Sequence, residues 1–180
     1  MNPLLPPAFT LRQWRDDDLD AFAEMNADPE LMRHMPAALT REESAATLAR
    51  VRDGIAARGW GLWAVEVDGE LAGWTGLNPP AWTAHFTPCV EVGWRLRRKF
   101  WGRGLATAAA REAVRYGFET LQLGEIVSFT VLANERSWRV MERLGFTRDL
   151  AGDFDHPRLP EGHPLRRHIL YRKKNPARRE

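Results

Sequence analysis

Two glycines, Gly102 and Gly104, lie between a predicted strand and a long predicted helix, in a segment rich in basic side chains. The first N–H groups of a helix have no partner inside the helix and carry a partial positive charge, so they bind anions. Glycine lets the backbone approach oxygen atoms closely, and nearby cations add charge-assisted hydrogen bonds to phosphate. The segment from Leu96 to Ala106 is therefore predicted to hold a polyanion such as a pyrophosphate.

The motif around these glycines is not one of the common nucleotide-binding loops. It is not a P-loop, because no Gly-Lys-Ser/Thr follows, and Thr107 stands where a dinucleotide-binding fingerprint would have its third glycine. From the residues alone, a strand-to-helix turn that needs glycine for steric reasons, with solvated arginines around it, explains the sequence equally well.

The elements that must position this turn follow from apolar periodicity and capping signals. They are predicted in the order β-α-α-β-β-β-α-β-α-β-β, which mixes a hairpin at Asp68-Gly69 with one strand–helix–strand crossover. This order predicts a single α/β domain with a mixed, mostly antiparallel sheet that contains a parallel strand pair and is flanked by helices. We expect the domain to span residues 1–174 and residues 175–180 to be a disordered basic tail.

The composition excludes several classes of protein. The 180 residues are 44% hydrophobic and 28% charged, which is typical of one globular domain. The single cysteine, Cys89, excludes an internal disulfide and a four-ligand Cys or Cys/His zinc site, so no metal is expected and a reducing, cytoplasmic location is favoured. The longest uncharged stretch, Leu71 to Val90, contains three prolines, so no membrane partner is expected. The basic C-terminal segment carries no nucleic-acid motif and indicates a solvated tail rather than a nucleic-acid partner.

Three blocks of sequence resemble a known family. Lys99-Phe100-Trp101-Gly102-Arg103-Gly104 resembles the Arg/Gln-x-x-Gly-x-Gly/Ala acetyl-CoA motif of the GNAT superfamily of N-acetyltransferases, with Lys in the first position. Phe100 to Thr107 is similar to the branch of ribosomal-protein N-terminal alanine and serine acetyltransferases. Val90 to Leu96 and Asn134 to Phe146 are also similar to the family, whereas the N-terminal half matches only in the order of its elements.

This resemblance implies acetyl-CoA as co-substrate and a splayed parallel strand pair beside which its pantetheine arm lies. Main-chain N–H groups near Trp94 to Leu96 would polarise the acetyl carbonyl. Asn134 would bind the amide arm, and its alternative role is a helix N-cap. The implied cofactor-binding residues are Leu96, Arg97, Arg98, Lys99, Gly102, Arg103, Gly104, Leu105, Ala106 and Asn134.

The catalytic groups are less clearly marked. Glu91 is the first candidate for the general base that takes a proton from the amine, with a pairing to a neighbouring arginine as the alternative. His85, Asp153, Asp155 and His156 are rival bases, the last three in a predicted loop. Family members often carry a tyrosine acid where this chain has Met141. Ser137 is the candidate acid instead, because the resemblance implies this role for a serine in the Asn-x-x-Ser context; the alternative is that its hydroxyl bonds to a helix carbonyl.

The acceptor is predicted only by class. Trp82, His85 and Phe86 lie in a proline-rich loop before the strand of Glu91, and we expect them to line the acceptor pocket. The expected function is acetyl transfer to a primary amine of a small molecule or a protein N-terminus by direct attack in a ternary complex, and a homodimer is left open. The alternative is a non-catalytic domain that binds or senses acyl-CoA, because Met141 cannot donate a proton.

Overall fold

The computed structural model of the chain describes residues 6–178. Within them the predicted order of seven strands and four α-helices is confirmed. A single 3₁₀ turn at Arg98–Phe100 follows the fourth strand. The elements are β1 (Thr10–Arg12), α1 (Asp18–Ala27), α2 (Arg41–Arg58), β2 (Leu62–Val67), β3 (Glu70–Asn78), β4 (Glu91–Leu96), α3 (Leu105–Glu119), β5 (Glu125–Val131), α4 (Glu135–Arg143), β6 (Thr147–Asp155) and β7 (Arg167–Lys174).

The strands form one seven-stranded sheet in the order β1-β2-β3-β4-β5-β7-β6. The sheet is mostly antiparallel, and β4 with β5 is its parallel pair, as predicted. This pair is held by a single register match between Glu91 and Val127 in the described residues. By contrast, β5 pairs with β7 along its whole length, from Glu125 with Lys174 to Val131 with His168.

Local sequence signals explain how several elements begin and end. Thr40 and Glu43 form the predicted capping box at the start of α2, and Gly59 ends that helix in the left-handed conformation. Asp68 and Gly69 join β2 to β3 with positive φ angles of 51° and 78°, as a type I′ turn requires.

The region before β7 corrects one prediction. Asp153 and Asp155 lie on strand β6 rather than in a loop, and His156 follows directly after it. The register of β6 with β7 shifts between Asp149 and Phe154, and β6 is the last strand of the sheet. Because of this irregularity and the exposed edge, its apolar residues do not alternate, and the sequence lacks a clear strand pattern.

The chain contacts divide the fold into two compact units. The first comprises the chain up to Gly76 together with Gly93–Ala110, and the second comprises Leu77–Val92 and the chain from Arg111 onward. Buried residues of the first unit form two clusters, one around Trp14 and Phe22 and one around Val65 and Phe100. The second unit has a cluster of Phe86, Val127, Phe154 and Leu170 with partly buried neighbours.

The predicted tail lies partly outside the described residues, since residues 179 and 180 are not among them. Asn175, its first residue, is buried. The Asn175 main-chain N–H donates to the Gly124 carbonyl (2.8 Å) and its side-chain amide to the Leu123 carbonyl (2.9 Å). The domain boundary at residue 174 stays a prediction. In the described part of the chain, no helix has the length and apolar character needed to cross a membrane.

The close approach of β3 to the start of β2 predicts a stability effect. A Cβ atom on Gly76 would lie 2.0 Å from the Gly61 carbonyl oxygen, a main-chain atom that cannot rotate away. We expect Gly76→Ala to lower the free energy of unfolding in urea by about 2–3 kcal/mol. The control is Gly124→Ala, whose Cβ would meet only the flexible Arg178 side chain at 3.4 Å and should change stability by less than about 0.5 kcal/mol. Equal stability of the two variants would contradict this packing argument.

Candidate functional site

The turn between β4 and α3 reaches the helix through two left-handed glycines. Gly102 and Gly104 have φ angles of 74° and 72°, a region that L side chains rarely adopt. No atom lies within 4 Å of the position that a Cβ would take at either glycine. The main chain at the start of α3 is therefore open on its outer side.

The N–H groups of this turn are not used by the protein. From Gly102 to Thr107, no main-chain N–H donates to another residue within residues 6–178, and the first bond is from Ala108 to the Gly104 carbonyl (3.1 Å). The first turn of α3 carries no acidic residue. These six N–H groups, at the positive end of a helix, can therefore donate to a bound anion without displacing a protein group.

The basic residues of the segment have different surroundings. Arg97 pairs with Glu24 and Glu70 at 2.7 Å each, and Lys99 also pairs with Glu70. The hydrogen bond from Lys99, and then that from Arg97, hold the pKa of Glu70 below its ordinary value, against the opposing effect of burial. Pairing with carboxylates fixes the positions of Arg97 and Lys99. It also reduces the positive potential that these two side chains contribute at the turn.

Two further arginines complete the set. Arg98 pairs with Asp28 (2.7 Å) and Glu30 (3.2 Å). Arg103, between the two glycines, is exposed and makes no ion pair with any of the described residues; its guanidinium lies 6.0 Å from the centre of the Phe100 ring. Arg103 is therefore able to pair with an added anion.

Strand β4 leads into this turn. On the β3 side, the Arg97 N–H directly after β4 donates to the Ala72 carbonyl of β3 (2.8 Å). The Trp101 indole donates to the Leu96 carbonyl at the end of β4 (2.7 Å). On the other edge, the register with β5 contains no pair after Glu91 in the described residues. From Gly93 onward, β4 therefore has main-chain groups that no strand on that edge pairs with.

Glu91, at the start of β4, is a carboxyl group without a cation. It is only partly exposed, and within residues 6–178 it makes no hydrogen bond or ion pair, so the predicted alternative of an arginine pair is not observed. Burial raises the pKa of Glu91 to about 8. At neutral pH the group is therefore mostly protonated, and it can take or give a proton close to pH 8.

Cys89 lies near Glu91. Burial, and then the charge of Glu91, raise the pKa of the Cys89 thiol to about 11. The thiol therefore stays protonated at neutral pH and is a poor nucleophile.

An aromatic cluster occupies the second unit. The rings of Phe86 and Phe154 lie 4.8 Å apart, and Trp82 lies 4.9 Å from His156. His85, the third predicted acceptor residue, is exposed, with its ring 5.2 Å from that of Phe86. The members of the aromatic cluster are Trp82, Phe86, Phe129, Phe154, His156 and His168.

The sequence did not indicate the other half of this cluster. Phe129 is on β5 and His168 is on β7, and β6 brings in Phe154, which pairs in register with His168. Only the pairing of β6 with β7, which the sequence does not show, places these rings together. Burial lowers the pKa of His156 to about 4 and also lowers that of His168, so both imidazoles are neutral at pH 7.

The two aspartates named as rival bases are both paired. Asp153 accepts from Arg148 (2.8 Å), and Asp155 lies 3.3 Å from Arg167. Each of these carboxylates is therefore already engaged by a cation, which distinguishes both from Glu91. Within the described residues, no group of three or more His, Cys, Asp and Glu side chains is placed to hold a metal ion.

Helix α4 contributes two polar side chains. Asn134 occupies the predicted N-cap position of the helix, but its side chain makes no capping bond and donates instead to the Thr130 hydroxyl (3.0 Å). The hydroxyl of the half-buried Ser137 makes no hydrogen bond inside residues 6–178, and the predicted alternative of a bond to a helix carbonyl is not observed. Met141 is only 1% exposed and packs in the core.

Comparison with known proteins places the chain among acetyltransferases. Residues 8–147 match the family described as acetyltransferase (GNAT) domain. The chain is similar to the FsC-acetyl coenzyme A-N(2)-transacetylase of Aspergillus fumigatus, with 41% identity over 93 residues that cover 49% of this chain and 40% of the relative. It is also similar to the putative ribosomal N-acetyltransferase YdaF of Bacillus subtilis, with 37% identity over 60 residues that cover 33% of each.

The chain thus spans less than half the length of these two curated relatives. A solved structure covers it more fully: the acetyltransferase (GNAT family) from Bacillus anthracis has a TM-score of 0.76 and 23% identity, over 96% of this chain and 98% of that one. At 23% identity, the similarity between the two structures is evidence about the fold alone.

The raised pKa of Glu91 predicts a pH-dependent stability. Because its folded-state pKa of about 8 lies above the ordinary value of 4.5, the folded protein binds more protons than the unfolded chain between these values. The free energy of unfolding should therefore fall as pH rises from about 4.5 to about 8, by at most about 1.4 kcal/mol per pH unit.

Glu91→Gln should remove this slope, measured by urea unfolding at a series of pH values. Glu161→Gln, at an exposed carboxyl group, is the matched control and should keep it. An identical slope in wild type and Glu91→Gln would show that Glu91 titrates normally.

Proposed function

The chain belongs to the acetyltransferase (GNAT) domain family, and from that premise we propose that it transfers an acetyl group from acetyl-CoA to a primary amine. Members of the family are acyltransferases that use acetyl-CoA as co-substrate. The observation that carries the proposal is the turn at Gly102 and Gly104, whose open side and unbonded N–H groups suit a diphosphate. The amine belongs to a small molecule or to a protein N-terminus.

The turn binds the diphosphate of the co-substrate. The N–H groups from Gly102 to Ala106 donate to its oxygens, and the absence of side chains at the glycines gives the oxygens room. Arg103 adds a cation that no carboxylate among the described residues neutralises. Arg97, Arg98 and Lys99 contribute a weaker positive field, because each is already paired. Asn134 uses its amide N–H₂ on Thr130, and its oxygen is proposed to accept from the amide arm.

The reaction joins the amine nitrogen to the acetyl carbon and breaks the carbon–sulfur bond. When bound, acetyl-CoA supplies the thioester carbonyl that the amine attacks. Main-chain N–H groups of β4 near Trp94 to Leu96 are proposed to stabilise the negative charge that develops on the carbonyl oxygen. The attack needs a neutral nitrogen, and the proton of an N-terminal ammonium, with a pKa of roughly 7.7–8.0, must go to a base.

Glu91 is the proposed base. Its pKa of about 8 is close to that of an N-terminal amine, which is the match that general base catalysis favours. The rival carboxylates Asp153 and Asp155 are each already paired with an arginine. His156 has a pKa of about 4 and is therefore a much weaker base than Glu91.

Ser137 is the proposed acid. Its hydroxyl is not used by other described residues, and it is proposed to give a proton to the leaving thiolate. Because a thiol has a pKa of only about 8.5, the thiolate leaves without much help. We therefore propose that Ser137 contributes only a small part of the rate enhancement.

The aromatic cluster, together with the exposed His85 at its edge, is the proposed wall of the acceptor site. Its rings would suit a hydrophobic or aromatic group next to the amine. The curated relatives carry names of both kinds, an N(2)-transacetylase and a putative ribosomal N-acetyltransferase. Small-molecule amines and protein N-termini therefore both belong in a substrate panel.

A non-catalytic acyl-CoA-binding role is the second candidate. The observation that favours it is Met141, which is buried where family members often place a tyrosine acid. The two functions differ in one measurement, the release of CoA from acetyl-CoA over a broad panel of amines. Amine-dependent release supports the transferase, whereas tight acetyl-CoA binding without release supports the binding role.

Gly104→Asp tests the diphosphate site. Asp and Asn both tolerate left-handed backbone, so Gly104→Asn is an isosteric control that differs only in charge. We expect the Asp variant to bind CoA at least about tenfold more weakly than the Asn variant in calorimetric titration, because its carboxylate lies beside the phosphates. Equal CoA affinities of the two variants would place the diphosphate elsewhere.

Glu91→Gln tests the base. We expect kcat/KM to fall by roughly 10²- to 10⁴-fold with unchanged CoA affinity. With an acceptor whose amine pKa lies well below 7, the wild-type rate should rise with pH to a plateau above about pH 8, and the variant should lack this rise. If Glu91→Gln keeps both the rate and the pH profile of wild type, a group other than Glu91 is the base.

A further inference from the structure

Arg95 differs in its partners from the nearby Arg97 and Arg98, which pair with carboxylates. It lies on β4, and its Nη1 donates to the Asn26 side-chain oxygen (2.9 Å) while its Nη2 contacts the Met35 sulfur. Its guanidinium lies 5.4 Å from the centre of the Trp74 ring. All three partners are neutral, and no carboxylate in the described part of the chain lies within ion-pair distance of Arg95.

The position of this guanidinium is fixed by buried groups. Asn26 is fully buried, and its amide N–H₂ donates to the hydroxyl of the equally buried Ser44 (3.2 Å), which directs the amide oxygen towards Arg95. Burial lowers the pKa of Arg95 to about 10, so the group is still a cation at pH 7. A partly buried cation without a counter-charge among the described residues is unfavourable, and an anion bound beside it would offset that cost.

Part of the guanidinium is still available for bonding. Arg95 Nε makes no hydrogen bond with a described residue, and it is not among the unpaired polar atoms that are sealed from solvent. Gly93 lies two residues earlier on β4 and therefore on the same face of the strand. It has no side chain, and a Cβ there would lie 3.4 Å from the Trp74 ring. Gly93 thus contributes no side chain beside Arg95, and the Trp74 ring borders this part of the strand face.

We propose that Arg95 binds an oxyanion of the acceptor, so that the preferred substrate is an amine that also carries a carboxylate or a phosphate. A guanidinium presents N–H donors in a planar fork that matches both groups. Arg95 lies within β4 and not in the turn at Gly102 and Gly104, and we therefore assign its anion to the acceptor rather than to the diphosphate of the co-substrate. This inference rests on the proposed function for its link to an acceptor.

Acetylation of matched amines tests the proposal. The pairs are phenylalanine with phenylalanine amide for the carboxylate, and O-phosphoethanolamine with ethanolamine for the phosphate. We expect wild type to prefer the anionic member of at least one pair by roughly tenfold to hundredfold in kcat/KM. Arg95→Met should remove this preference through KM, with little change for the neutral member, and Arg95→Lys should restore part of it.

The control variant is Arg115→Gln, on the exposed face of α3, which should keep the preference. A purely structural role of Arg95 would instead lower the melting temperature and the rates for both members of a pair alike. Equal rates for the anionic and neutral members in wild type, or a preference that survives Arg95→Met, would overturn the proposal.

A second measurement does not depend on turnover. With CoA present to fill the turn, glutarate and inorganic phosphate are added at constant ionic strength, and the melting temperature is recorded. We expect at least one of them to stabilise wild type and Arg115→Gln but not Arg95→Met. If no amine of the panel is acetylated, the proposed function fails, and the melting temperatures alone test the anion site. The anion site is then overturned if neither anion raises the melting temperature of wild type more than that of Arg95→Met.

Discussion

The structure depends on a run of main-chain N–H groups that donate to no other residue in the described part of the chain. Helix α3 begins directly after Gly102 and Gly104, whose left-handed conformation carries the chain from the 3₁₀ turn into the helix. No acid in the first helical turn competes with an anion. The neighbouring Arg97 and Arg98 form ion pairs with α1 and the segment after it, which fixes the start of the turn. A folded protein rarely leaves so many donors unused unless a ligand or water takes them.

A second theme is that burial, rather than pairing, sets the charge of the proposed reacting groups. In the described residues Glu91 has no ion-pair partner and burial raises its pKa to about 8, whereas Asp153 and Asp155 are paired with arginines. Arg95 keeps its charge among neutral partners. Such displaced pKa values are typical of functional sites, because a group that is already paired has no proton or charge to offer to a substrate.

The sequence predicted features that depend on a few neighbouring residues. The capping box at Thr40 and the hairpin at Asp68 follow from local hydrogen bonding and backbone preference, and both are confirmed. Features that depend on distant partners were not predictable: Arg97 pairs with Glu24, 73 residues away, and the extent of β6, which includes Asp153 and Asp155, depends on its pairing with β7. Asn134 occupies a capping position, but a tertiary bond to Thr130 takes its side chain. The glycine motif was predictable because anion binding there uses main-chain groups.

The most direct test of the account is a crystal structure of the protein with bound CoA. The account predicts that the diphosphate oxygens lie within hydrogen-bond distance, about 2.7–3.1 Å, of the N–H groups from Gly102 to Ala106. It also predicts that Arg103 approaches these oxygens. A diphosphate bound at any other place, or a turn whose N–H groups bond to the protein itself, would contradict the account.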